Sequence, residues 1–360
     1  MSKGYNIRLF QPGDEQGILN ILQLAFNNWA KRKAPLEYWR WRYYDTPIKH
    51  LISLAVSDDI VVGVNHCSLM SIKMGNSKIP AFFAGDVVTH PNFRGMGIYS
   101  KLIDTNAAHT EKNGYKFGYW LSSNPIVLNS NIKRRNEIFP HSVSYLVRIR
   151  DIDLHIQMRP VENESILRFG YSALATLNKI KTNLVTEPIA NENYAIDEIK
   201  SFDERIDTFW DTVNGSYNFI IEKNRAYLNW RYCDSRGGDF VVRQAVKGEV
   251  VLGIVAIQLT SYNGYQEGFV MDLLALPGRL DVADALLRNV CNYFDGLGVN
   301  AIYYMVIDGH PYQEISKKNG FVDSQRNPYI GCQLYDVENF KIMRSASRDR
   351  IYFGYAETFR

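Results

Sequence analysis

The sequence predicts an α/β protein made of two tandem copies of one domain, each a mixed sheet flanked by helices. Three observations carry this. The chain has 360 residues, more than a single hydrophobic core organises well, since cores stop growing at about 250–300 residues. A long-period repeat runs through it. Within each copy, strand patterns of period two are interleaved with helical ones in an order that builds a mixed sheet.

The repeat is read from fixed anchors. Tyr38-Trp39-Arg40-Trp41-Arg42-Tyr43-Tyr44-Asp45 returns as Tyr227-Leu228-Asn229-Trp230-Arg231-Tyr232-Cys233-Asp234, identical at five of eight positions, with Trp41 and Trp230 189 residues apart. A hairpin pattern follows each copy: residues 51–56 and 60–64 around Asp58-Asp59, then residues 240–246 and 250–254 around Lys247-Gly248. Gly63 and Gly253 lie 190 apart, while Asp86 and Asp272, and also Pro125 and Pro311, lie 186 apart. Anchors at nearly constant offset and in constant order define a duplication. The expected domains are 1–150, a helical linker over 151–201, and 202–360. In the linker, Leu167, Phe169, Tyr171, Leu174, Leu177 and Ile180 are spaced as on one helix.

In the first copy, residues 6–10 alternate as a strand, and Asp14 is placed to cap a helix running through Leu24-Ala25-Phe26. After the hairpin come a central strand over 81–89, a helix over 97–113 closed by Gly114, and a strand over 117–121. Asn124-Pro125 opens another helix, Pro being suited to a first turn, and residues 143–149 read as the strand that ends the domain.

Composition narrows the partners only a little. With 46% hydrophobic and 22% charged residues and a net charge of +3, no global field favours nucleic acid or a membrane surface. No run is apolar long enough to span a bilayer, and the N-terminus lacks the apolar segment of a secretory signal. Cys67, Cys233, Cys291 and Cys332 are scattered without metal-ligand spacing, so no metal is expected and a reducing cytoplasm is the default compartment. The 23 tyrosines are assigned mainly to packing.

The chemically informative spot is the turn where Pro91 stops the central strand and Arg94-Gly95-Met96-Gly97 leads into a helix at Ile98-Tyr99-Ser100. Glycines without Cβ let backbone close on a ligand, and the free amides and dipole of a helix N-terminus favour a diphosphate there. The string from Val87 to Leu102 resembles the acetyl-CoA signature of the GNAT superfamily of N-acetyltransferases, Arg or Gln, two residues, Gly, one residue, Gly or Ala. Arg94 and Gly97 fit it; Tyr99 stands where a small residue is usual. The resemblance spans residues 6–149 and, degraded, 203–335. It implies two tandem GNAT-like domains, each a mixed, mostly antiparallel twisted sheet flanked by helices. It further implies that Val87, Val88 and Thr89, on a strand splayed at a bulge, offer main-chain groups to pantetheine. The diphosphate would rest on Arg94, Gly95, Met96, Gly97, Ile98, Tyr99 and Ser100, with Asn124 near the cofactor or serving only as a helix cap.

The resemblance also implies acyl transfer from acetyl-CoA to an amine, which needs positioning, removal of the amine's proton and protonation of the leaving thiolate. Asp86 is the candidate base, with a structural reading beside it because the second copy keeps Asp272. His90 is assigned to the surface. For the acid, the segment after Pro125 has no tyrosine, so Tyr145 is the substitute and His141 another. The second copy reads Gly278-Arg279-Leu280-Asp281 where the glycine loop would stand, an arrangement hostile to a diphosphate. The expected acceptor is a small-molecule amine such as an amino sugar, antibiotic or amino acid. A long-chain acyl or peptidyl transferase of tandem type and a non-catalytic CoA-binding module are the alternatives. The duplicated Trp-Arg-Tyr segments are assigned to bracing each domain, with lining of a shared acceptor cleft as the alternative.

Overall fold

The computed structural model describes residues 4–26, 29, 33–122, 124–134, 136–159, 164–165, 168–169, 194–324, 329–335 and 337–358. Most of the expected linker helix over 165–184 lies outside them. Contacts divide the chain into two units, Met1–Phe139 with Pro328–Met343, and Pro140–Asn327 with Arg344–Arg360.

The first copy runs β1 (Asn6–Leu9), α1 (Glu15–Ala25), α2 (Pro35–Tyr43), β2 (Lys49–Ser57), β3 (Ile60–Met74), β4 (Ser77–Thr89), α3 (Ile98–Lys112), β5 (Phe117–Ser122), α4 (Pro125–Lys133), β6 (Glu137–Ile138) and β7 (Val143–Ile149). After α5 (Ile152–Met158), the second copy runs β8 (Ala195–Ile199), α6 (Arg205–Ser216), β9 (Phe219–Ile221), α7 (Arg225–Leu228), β10 (Phe240–Lys247), β11 (Val250–Tyr262), β12 (Tyr265–Ala275), α8 (Leu280–Gly296), β13 (Ala301–Ile307), α9 (Pro311–Lys318), β14 (Val322–Asp323), β15 (Tyr329–Leu334) and α10 (Val337–Ser345). The strand rhythm of β8 falls inside the span read as a helical linker, because five half-exposed residues at a sheet edge carry little apolar signal.

The sheet of the first unit has the order β1-β2-β3-β4-β5-β15-β6, and that of the second β8-β10-β11-β12-β13-β7-β14. In each, one central pair is parallel, β4 with β5 and β12 with β13, and the other neighbours in the two orders are antiparallel. The strand Val143–Ile149, expected to close the first domain, belongs instead to the second sheet, where Tyr145 faces Met305. Reciprocally, Tyr329–Leu334 fills the slot beside β5 in the first sheet. Duplication makes the two slots equivalent, so periodicity alone cannot say which sheet a closing strand enters.

Local chemistry explains most element boundaries. The β2–β3 turn puts Asp58 and Asp59 at φ 47° and 60°, the left-handed pair of a tight hairpin that short polar side chains tolerate. Asn124 caps α4 by accepting from the Ile126 amide at 2.9 Å. Asp14 departs from its expected capping role: both its oxygens take hydrogen bonds from Arg8, at 2.7 and 2.6 Å, and it makes no side-chain cap. The repeated glycines answer to packing. A Cβ on Gly63 would stand 2.6 Å from Ile98 Cγ2 on α3, and one on Gly253 would stand 2.8 Å from Val282 Cγ1 on α8 and 3.0 Å from the Leu274 carbonyl. Each copy thus brings its main helix down onto the sheet over a glycine.

Backbone at Gly253 cannot yield as a side chain can, so Gly253→Ala is expected to lower the unfolding free energy by about 1–3 kcal/mol, the usual range for overpacking. Gly215→Ala on α6, where nothing lies within 4 Å, should not lower it, because alanine favours helix over glycine. Urea denaturation of the two variants beside the parent checks the contrast.

Candidate functional site

The site of the first unit starts from a fault in β4. Val88 faces Val64 and Gly85 faces His66, so Asp86 and Val87 together oppose Asn65 alone. This is a β-bulge, and Asp86 sits in it at φ 47°. Pairing of β4 with β5 covers only Ala81–Phe83 against Phe117–Tyr119, so beyond Phe83 the two strands part. The His90 amide donates to Val62 O at 2.9 Å. Strand alternation then turns the Val88 amide toward β3 and those of Val87 and Thr89 toward the opened side. Among the described residues neither amide has an acceptor there, and the Thr89 hydroxyl is buried without a partner. Buried donors are seldom left unpaired, so the opened edge is a candidate place for another molecule to pair.

A cavity of about 410 Å³ lies at this edge. It is lined by Val87, Val88, Thr89, Arg94, Gly95, Gly97, Ile98, Tyr99 and Asn124, together with Ala25, Phe26 and Phe93. Nine of the residues singled out in the sequence for a cofactor are therefore brought together. Met96 and Ser100 are not part of the wall: Met96 packs on the core of Phe93, Ile98 and Leu102, and its carbonyl accepts from Tyr5 Oη at 2.9 Å. Gly95 and Gly97 have φ 80° and 77°; a Cβ built on Gly95 would meet nothing within 4 Å, and one on Gly97 only Tyr5 Oη at 3.9 Å. Backbone conformation is thus what calls for glycine here, placing the first amides of α3 at the cavity. Asn124 lines the cavity while its side chain is spent on capping α4. Tyr99 is held by the Asn131 side chain on α4, and burial raises its phenol above its usual range. Ala25 and Phe26, at the end of α1, were missed in the sequence because nothing local tells which side of the sheet a helix end will reach.

Asp86 carries a network of its own. Its Oδ2 accepts a hydrogen bond from Tyr43 and lies 3.3 Å from Arg42 Nη2, while its side chain keeps 20% of its surface exposed. Its carbonyl is 3.1 Å from His66 Nδ1, and the other ring nitrogen, Nε2, receives Trp39 Nε1 at 3.2 Å. Because an indole N–H only donates, Nε2 is the acceptor and Nδ1 carries the proton given to Asp86. The ring of His66 stacks on Tyr43 at 4.1 Å. Burial raises the Tyr43 phenol well above its ordinary range; burial alone would lower Arg42, but Asp86 together with Tyr43 and Tyr38 outweighs it and holds the guanidinium charged. The Trp-Arg-Tyr motif thus has a specific task, holding the carboxylate of the bulge. The tyrosine at Asp86 is Tyr43 of that motif, whereas Tyr145 stands in the second sheet with its ring edge-on to Tyr355 at 5.7 Å. His90 accepts from the Asn92 amide at 3.2 Å and caps the turn after β4.

The second copy repeats the pair. Tyr232 donates to Asp272 Oδ2, next to a bulge at Met271. Here, however, the carboxylate is fully buried and bound by the Lys223 ammonium at 2.9 Å. Among the described residues no cluster of side chains could hold a metal ion, and no helix is long and apolar enough to cross a membrane.

The family described as "Acetyltransferase (GNAT) domain" matches residues 6–129. Over those residues, about a third of the chain, the sequence is similar to a GNAT domain. Solved structures extend the likeness to both units. A conserved protein of unknown function from Enterococcus faecalis V583, described as a probable N-acyltransferase, aligns at TM-score 0.65 and 10% identity over 94% of this chain and 74% of its own. A tandem GNAT protein from the clavulanic acid biosynthesis pathway aligns at 0.58 and 13% over 92% and 98%. N-myristoyltransferase from Saccharomyces cerevisiae with bound myristoyl-CoA aligns at 0.60 and 8% over 93% and 80%. At such identity these likenesses establish the fold, two tandem GNAT-like domains. None of the curated proteins matches the sequence.

Burial pushes His66 down to about 4 and His50, whose ring lies edge-on to Tyr43 at 5.4 Å, down to about 3. Both titrate near ~6.5 in an unfolded chain. The unfolded state therefore binds more protons below that value, and the stability contributed by these neutral rings is complete above it and lost as pH falls toward 4. The urea midpoint is expected to drop between pH 7 and 4.5, with the His66 ring signal in NMR showing no titration above pH 5.

Proposed function

We propose that the first unit is an acyl-CoA-dependent N-acyltransferase that moves an acetyl group from acetyl-CoA to the amine of a small molecule by direct attack. The observation that carries the reading is the opened edge of β4: two outward amides and a buried, unpartnered Thr89 hydroxyl beside a glycine-shaped helix start. Backbone at Val87 and Thr89 is suited to pair with the amides of pantetheine as an added strand. The first amides of α3 and the Arg94 guanidinium suit the diphosphate, which a helix N-terminus favours by about 0.3–2 kcal/mol per charge. The family match to an acetyltransferase domain supports acetyl as the group moved.

Asp86 takes the amine's proton in this reading. The contacts from Tyr43 and Arg42 both fall on Oδ2, and the carboxylate is in part exposed, so Oδ1 can meet an acceptor. In the second copy the equivalent carboxylate holds a lysine ammonium, direct support for the bulge as a place where an amine fits. The neutral amine then attacks the thioester carbonyl, the C–N bond forms as the C–S bond breaks, and the second proton shed by the nitrogen passes to the departing thiolate, leaving the amide and free CoA. Tyr43 and Arg42 orient Asp86 rather than touch the reactants. The fixed amides of the opened edge keep the carbonyl in place, an advantage of position rather than of reactivity.

Two measurements test this. Calorimetry with acetyl-CoA should give a Kd that Arg94→Glu weakens at least tenfold; Arg94 is exposed, so its folding should survive, and unchanged binding would sink the loop assignment. For Asp86→Asn, kcat is expected to fall by about 10²–10⁴, the usual contribution of a positioned base, with the Kd for acetyl-CoA preserved. A turnover equal to the parent across pH would leave Asp86 a brace only.

A further inference from the structure

We infer that the donor groove of the second unit is filled by the chain itself, by Tyr352 of the segment after α10 and Tyr312 of α9, so that the protein takes one acyl-CoA and not two. The inference rests on reading the Val87–Thr89 edge as the place of pantetheine, since it transfers that edge by the repeat to Leu273–Ala275.

The equivalent strand opens in the same way. Pairing of β12 with β13 stops at Val270 against Tyr304, just before the bulge. The Leu276 amide donates to Leu252 O at 2.9 Å, as His90 does to Val62, so the amides of Leu273 and Ala275 face the opened side. There they are already taken. The Leu273 amide donates to Tyr352 Oη at 3.1 Å, and the Ala275 amide to Tyr312 Oη at 3.0 Å. The two hydroxyls stand on the two amides that correspond to those of Val87 and Thr89.

The segment after α10, the C-terminal tail, is fixed there by charge as well. Lys223 Nζ lies 2.9 Å from Asp272 Oδ1 and 2.6 Å from Glu357 Oε1, and all three side chains are shut from solvent. Tyr352 Oη also donates to Asp272 Oδ1 at 2.9 Å, and the Gly354 amide to Glu357 Oε2 at 2.8 Å. Breaking this cluster would strand buried charges, which is far costlier than never forming it. The position 189 residues before Lys223 is Ala34, so the matching position of the first copy carries no ammonium. At the helix start the second copy adds Arg279, whose guanidinium is paired with Asp281 at 3.0 and 2.8 Å and so offers less to a diphosphate than Arg94.

Hydrogen exchange on the whole protein without ligand tests the occupancy by itself. Leu273 and Ala275 should be protected, with Tyr352→Phe speeding Leu273 at least tenfold and Tyr312→Phe doing the same to Ala275, each leaving the other nearly unchanged. Fast exchange of both amides in the parent overturns the inference. Adding acetyl-CoA then separates the two readings: new protection at Val87 and Thr89 alone, with calorimetry giving one molecule per chain, is the expected result. Protection appearing at Leu273 and Ala275, or a stoichiometry of two, would refute the plug. Protection at neither pair would refute the donor reading and leave the tail's place standing on the ligand-free exchange.

Discussion

The extra residue at Asp86 is the constraint on which the opened edge of the first unit depends. Holding an aspartate at φ 47° costs roughly 1–3 kcal/mol in an isolated backbone, and the fold offsets this with three contacts that converge on one residue. Tyr43 and Arg42 grip the carboxylate, while His66, its proton fixed on Nδ1 by Trp39, takes the carbonyl. The bulge in turn parts β4 from β5, and only a parted strand has amides to give away. The aromatic motif on α2 is therefore tied to the opened edge through Asp86, although no residue of that motif lines the cavity.

The two copies show what such an edge requires once it exists. Unpaired amides under cover are costly, about 1–3 kcal/mol each when buried, and each unit meets that cost in its own manner. In the second the hydroxyls of Tyr352 and Tyr312 supply the acceptors, and the carboxylate, fully buried, is balanced by Lys223. In the first, among the described residues, the amides and the Thr89 hydroxyl have no partner on the opened side, and Asp86 keeps a fifth of its surface. Burying an acid demands a fixed counter-charge: Asp272 has Lys223, and Asp86, less deeply placed, has Arg42.

Much of this was legible in the sequence because duplication and glycine placement are local signals. The offsets of Trp41, Gly63 and Asp86 gave the two-copy architecture, and the Arg94–Gly97 spacing gave a loop that lines the cavity. The exchange of Val143–Ile149 for Tyr329–Leu334 was not legible, since the two strands have interchangeable slots and their pairing is decided by tertiary context. That exchange carried Tyr145 into the second sheet, which is why a tyrosine close in sequence to the first site stands in the second unit. The partnership of Tyr43 with Asp86, 43 residues apart, was hidden for a related reason: a repeat shows that both are kept without showing that they touch. The tail was illegible too, because Tyr352 and Glu357 act only through contacts formed after folding.

Comparing copies within one chain separates structural from functional residues more sharply than composition does. Gly63 and Gly253 agree because both helices need the same approach to their sheets, so they speak for the fold. Gly95 and Gly97 have no counterpart in Gly278-Arg279-Leu280-Asp281 beyond a first glycine, so they speak for what the first unit alone does. Asp86 belongs to neither class cleanly, since Asp272 matches it in identity and in its tyrosine partner. What distinguishes it is environment: one carboxylate is locked to a lysine and a tail, the other is open on the side away from Tyr43. Any role of Asp86 in proton transfer must therefore come from that difference in access, because the residue and its brace are common to a copy whose groove the chain itself fills.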